Sequence, residues 1–70
     1  MIRQPVASSN LQSVGYDAVI HTLEIAFRSG GIYHYLGVPD IVYQTLMSAP
    51  SKGRYFDRAI KNRYATRRIR

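Results

Sequence analysis

Residues 22–36 read TLEIAFRSGGIYHYL, and this stretch decides the fold. Leu23, Ile25 and Phe27 fall on one side of an extended chain, with Thr22, Glu24 and Arg28 on the other and the small Ala26 among them. A two-residue period with β-branched and aromatic content marks a half-buried strand. Ser29-Gly30-Gly31 interrupts it, and the glycines supply the positive φ that a tight hairpin turn demands. Ile32-Tyr33-His34-Tyr35-Leu36 then returns as a second strand, apolar on both faces.

Upstream, Leu11–Tyr16 reads as an earlier strand that ends at the turn-prone Asp17. Three strands in sequence order form an antiparallel meander, about the smallest sheet that is stable once one face is covered. The cover is expected downstream. Gly37-Val38-Pro39-Asp40 closes the sheet and opens a helix, with Pro39 suited to the first helical position and Asp40 to the positive end of the helix dipole. Val42, Tyr43, Leu46 and Met47 recur at helical spacing, and Pro50 stops the helix. Ser51 is placed to cap a second helix, although Arg54 stands where a capping box would carry Glu. In that helix Tyr55, Phe56, Ala59 and Ile60 share one arc. At about 100° per residue, Arg54, Arg58 and Lys61 share the opposite one. Beyond about Asn62 the periodicity ends. The expected fold is therefore α+β, a three-stranded antiparallel meander followed by two helices packed on one face. It forms a single domain over residues 1–64, with a loose basic tail over 65–70.

The series S-S-N (8–10), V-G-Y (14–16), L-x-I-x-F (23–27), Y-x-Y (33–35), V-P (38–39), S-K-G-x-Y-F (51–56), I-K (60–61) and R-Y (63–64) resembles the KTSC domain. That family is named after the C-terminal domain of some lysyl-tRNA synthetases and also occurs as short stand-alone bacterial proteins. The resemblance spans about Ser8–Tyr64 and implies a β-meander with helices. It also implies an association with RNA through the synthetase, and no enzymatic activity of its own.

Charge is distributed very unevenly. Of ten Lys and Arg residues, eight lie in residues 51–70, opposed only by Asp57, while Arg3 and Arg28 meet Asp17, Glu24 and Asp40 in the remainder. The last twenty residues thus carry +7 of a net +6. A field of this shape points to an anionic partner. The first expectation is a non-catalytic nucleic-acid-binding module, RNA before DNA, with phosphates held by Lys52, Arg54, Arg58, Lys61 and Arg63 and with Arg67, Arg68 and Arg70 reaching from the tail. A solvated face that keeps a small protein soluble is the plainer reading of the same cations. The alternative function is a protein–protein or accessory module that docks on an acidic partner, or that pairs through an exposed strand edge.

Two further candidates accompany the basic face. Ser51-Lys52-Gly53, at a helix start with unpaired N–H groups, is a candidate anion site. A plain N-cap is the favoured reading of it, and it lacks the length and the preceding glycine of a P-loop. Tyr33 and Tyr35 are candidate stacking aromatics if they face solvent, and core residues if they do not.

Other classes are expected to be absent. With no cysteine and only His21 and His34, no metal centre or disulfide is expected, and no cofactor. The four acids are isolated in sequence, and no nucleophile–base arrangement can be drawn. No apolar run approaches the roughly 20 residues that span a bilayer, and MIRQPVASSN lacks the apolar core of a secretory signal, so a cytoplasmic protein without membrane partners is expected.

Overall fold

The computed structural model describes residues 1–70. The alternation over 22–36 becomes two paired strands, here β3 (Thr22–Phe27) and β4 (Ile32–Leu36), registered Leu23 to Tyr35 and Ile25 to Tyr33. Opposed residues share a face, so Leu23, Ile25, Tyr33 and Tyr35 all point to one side. At the turn only Gly30 has positive φ, at 113°. Gly31 is needed for another reason: a Cβ there would lie 2.7 Å from Cε1 of Tyr33.

Strand β2 (Leu11–Asp17) pairs antiparallel to β3. A bulge between Leu11 and Ser13 shifts the register, and it turns both Leu11 and Val14 into the core despite their odd spacing. Helix α1 (Asp40–Ser48) follows the sheet, and α2 (Lys52–Ala59) follows α1. Pro39 sits one position earlier than its helix-forming role suggests. With ψ of 151° it is the N-cap itself, and Asp40 is the first helical residue. Both helices cover one face of the sheet. Leu46 of α1, Phe56 of α2 and Ile60 at its C-cap close on Leu11, Val14, Leu23, Ile25, Tyr35 and Val38 in a single cluster.

The sheet has five strands, not three, in the order β1-β2-β3-β4-β5. Strand β1 (Gln4–Pro5) pairs with β2 at one edge. Two exposed residues show no period, and Pro5 is tolerated there because an edge position does not need its missing N–H. At the other edge, residues expected to be a loose tail form β5 (Ala65–Arg68), paired with β4 from Leu36–Ala65 to Tyr33–Arg68. The ladder continues to the chain end, where the Ile32 N–H donates to Arg70 O at 3.1 Å. All four β5 residues are exposed, so no apolar pattern marks the strand in sequence. It forms because β4 would otherwise present a row of unpaired backbone groups.

The sheet's second face carries no helix. Glu24 lies there with its side chain 14% exposed, accepting from Arg3 Nη1 at 2.9 Å and engaging His34 Nε2 at 2.7 Å. Arg67 is registered beside His34 on the same face. No helix is long and apolar enough to cross a membrane.

Candidate functional site

Helix α2 divides as its sequence suggests. Phe56 and Ile60 are buried, while Arg54, Arg58 and Lys61 are exposed. The Arg58 guanidinium lies 5.6 Å from the Tyr55 ring centroid, a cation–π arrangement that steadies it on the surface. The helix start is occupied by structural bonds. Ser51 Oγ accepts from the Arg54 N–H at 3.4 Å, an N-cap, and Lys52 Nζ donates to Ala49 O at 3.1 Å, just past the end of α1. The Lys52 amine is therefore engaged with protein. Arg63 is likewise drawn back, its Nε donating to Arg58 O at 3.2 Å, although the residue remains exposed.

Two sequence motifs far apart in the chain meet at this helix. Ser8 Oγ accepts from the N–H groups of Asn10 and Leu11 at 3.3 and 3.2 Å, which folds Ser8-Ser9-Asn10 into a tight turn. Arg28 Nε donates to Ser8 O at 2.7 Å and its N–H to Asn10 O at 2.9 Å, tying that turn to the end of β3. Gly53 faces the same turn: a Cβ there would lie 3.7 Å from Ser8 Oγ and 3.9 Å from Asn10 Nδ2. A cleft of about 400 Å³ runs between the turn and the start of α2.

A larger cleft of about 630 Å³ adjoins it. Phe27, Tyr33, Tyr35 and Phe56 line it, with Arg28, Asp57 and Lys61 also in its wall. The rings pack edge to face. Phe27 meets Tyr33 at 5.6 Å and Phe56 at 5.4 Å, and Tyr35 meets Phe56 at 5.4 Å. Arg68 of β5 places its guanidinium 5.7 Å from the Tyr33 centroid. Tyr35 is only 5% exposed, and burial first, then its neighbour Tyr33, push its hydroxyl up to about 12. An open stacking platform on the sheet is not formed, because both tyrosines face the helices. Tyr35 belongs to the core and gives the cleft only a nearly buried wall, while half-buried Tyr33 is the more exposed of the two.

The site as built thus differs from the list of basic helix residues. Lys61 is in the cleft wall, Arg54 lines the smaller cleft, and Lys52 is tied to α1. Arg28 and Asp57 join the cleft without having been site candidates in sequence, Asn10 comes to it from the S-S-N motif, and Arg68, expected to reach from a tail, packs on Tyr33 from β5. A lone arginine after a strand, and an arginine in an apparent tail, carry no local signal of where they end up.

The model of the KTSC domain matches residues 7–64. This chain belongs to the KTSC domain family. The crystal structure of a KTSC domain protein from Yersinia pestis is 52% identical, covers 99% of this chain and 97% of its own, and superposes with a TM-score of 0.96. An uncharacterized protein of Stutzerimonas stutzeri strain A1501 is 44% identical over 61 residues, 87% of this chain and 86% of that one. A lysine–tRNA ligase of Nostoc punctiforme is 39% identical over 56 residues, which is 80% of this chain and 10% of the ligase. The KTSC match takes in both meeting motifs, Ser8–Asn10 and Ser51–Phe56, and stops just before β5.

Proposed function

We propose that this KTSC domain is a non-catalytic module that binds single-stranded nucleic acid, RNA before DNA, along the cleft between α2 and the ends of β3 and β4. One observation carries the reading: two cations from separate elements stand in the wall of an aromatic-lined cleft, and a third packs on one of its rings. Arg28 follows β3, Lys61 follows α2 and Arg68 lies on β5 beside Tyr33. Bases need an apolar or aromatic wall, and phosphates need cations within a few ångströms of that wall. Arg54 and Arg58 extend the positive field along α2. The preference for RNA rests on the family's occurrence within lysine–tRNA ligases.

A second reading, docking on an acidic protein partner or by strand addition, rests on the unpaired outer edge of β5. Arg67 and Arg68 stand on that edge, and charged edge residues discourage strand addition, so this reading ranks second.

Fluorescence anisotropy with labelled single-stranded RNA and DNA tests the proposal. With three or four phosphate contacts, affinity is expected to fall about 20–50-fold between roughly 50 and 200 mM salt. Lys61→Gln and Arg54→Gln are expected to lower both affinity and salt slope. No binding of either nucleic acid at the lower salt would overturn the proposal and leave the acidic protein partner as the better reading.

A further inference from the structure

Three of the four acidic side chains have partners. Glu24 engages Arg3 and His34, Asp17 accepts from the N–H groups of Val19 and Ile20, and Asp40 accepts from Gln44. Asp57 accepts nothing, although Arg54 three positions before it and Lys61 four positions after it stand at helical spacing. It is also the only acid in the basic last twenty residues, and it stands in the wall of both clefts, where they join. Asn10 lines both clefts as well.

From this placement, and resting on the nucleic-acid reading above, we infer that the aromatic cleft is a pocket for one unstacked guanine base. An ionised carboxylate is acceptor-only and seeks two adjacent donors. Guanine offers such a pair on its Watson–Crick edge, N1–H beside the N2 amino group, with the O6 acceptor next to them. Asp57 accepts from the pair, and the Asn10 side-chain amide supplies the donor for O6. Adenine and cytosine would each turn a ring-nitrogen lone pair toward the carboxylate, and uracil offers one donor between two acceptors. The base rests against the Tyr33 edge of the aromatic wall, and the flanking phosphates fall to Lys61 and Arg28. A carboxylate weakens binding to any phosphate chain, so its presence in a cationic site is consistent with reading a base, not holding a backbone.

The test uses short uridine-rich RNA strands that differ only at one central position, G, A, C, U or inosine, measured by anisotropy against the whole chain and Asp57→Asn. The G strand is expected to bind about 5–150-fold more tightly than the U strand, which is the range of one good bidentate base contact. Inosine, which lacks the N2 amino group, is expected to fall between them. Asp57→Asn should erase the preference while binding the all-U strand at least as tightly, because a negative charge has been removed. Amide spectra of the exposed variant, overlaid on those of the parent, check that the fold is intact. Equal binding of all five strands, or a G preference that survives Asp57→Asn, overturns the guanine pocket and leaves the backbone-binding function standing. Failure of every strand to bind overturns both.

Discussion

The Tyr16 hydroxyl donates to Val38 O at 2.6 Å, joining β2 to the corner where the chain leaves the sheet for α1. The Tyr16 ring also stacks on Tyr43 of α1, with centroids 4.7 Å apart and planes 9° from parallel. Val38 is fully buried, so its carbonyl has little access to water. Tyr16→Phe keeps the stack and removes this bond, together with a longer, exposed contact of the same hydroxyl with His21 Nδ1 at 3.3 Å. It is expected to cost about 1–3 kcal/mol, the usual penalty for a buried acceptor left unpaired, read as a lower urea midpoint with an unchanged slope.

The same hydroxyl sets an alkaline limit. Burial, then the charges of Asp40 and Asp17, hold Tyr16 above its ordinary value, and Tyr35 is held at about 12. Raised values favour the neutral phenols of the folded state. Their contribution to stability is complete below pH 10 or so and is lost as pH rises through the folded values. Urea midpoints are expected to fall with pH above about 10. Tyr16→Phe and Tyr35→Phe should each flatten that fall; a slope unchanged in both variants would contradict the assignment.

Glu24 sets the acid limit. Burial alone would raise its carboxyl, but the His34 hydrogen bond and the Arg3 charge outweigh burial and hold it below the ordinary glutamate value. A depressed folded value stabilises above the unfolded pKa, and that stability is lost as pH falls through the folded value. Unfolding midpoints are therefore expected to drop with pH from about 4.5 downward. Glu24→Gln should be less stable near neutral pH by about 1–3 kcal/mol and lose most of that acid slope.

Gly15 is where the N-terminal segment crosses β2. A Cβ on it would lie 2.9 Å from Ile2 O and 3.1 Å from Arg3 Cγ. Gly15→Ala is expected to push residues 1–3 away, loosen the Arg3–Glu24 pair and cost about 1–3 kcal/mol. Amide exchange should quicken in β1 ahead of the other strands, and uniform protection would count against this account.

Lys52 and Lys61 should respond in opposite ways to the same change. Lys52→Gln removes a bond to Ala49 O and is expected to cost about 1 kcal/mol of stability with little effect on RNA affinity. Lys61→Gln, at an exposed position in the cleft wall, should leave stability within about 0.5 kcal/mol and weaken RNA binding. Parallel urea titrations and anisotropy measurements compare the two.

The KTSC fold is legible wherever periodicity meets burial. Leu23, Ile25 and Phe27 announce β3, and Phe56 and Ile60 announce the core side of α2, because each repeats at the period of its element and faces one core. The bulge at the start of β2 hides the relation of Leu11 to Val14, since one extra residue breaks the two-residue count. Strand β5 has no period to read. Ala65–Arg68 are exposed on both sides, and only the β4 ladder and the Tyr33 ring give Arg68 its place. Reading residues 65–70 as a tail misses this because the cause lies about thirty positions away.

The candidate site follows the same division. By itself the sequence determined the sheet-and-helix class, the cation arc Arg54, Arg58 and Lys61, and the family motifs, all of which depend on local spacing. Only the tertiary structure decided that Lys52 caps α1, that Tyr35 is core, that Arg28, Asn10 and Asp57 converge on one cleft, and that Arg68 packs on its Tyr33 ring. Spacing along a chain reports which residues share a face of their own element. Which faces meet is settled by strand order and register, and these are fixed by backbone hydrogen bonds and burial across the whole sheet.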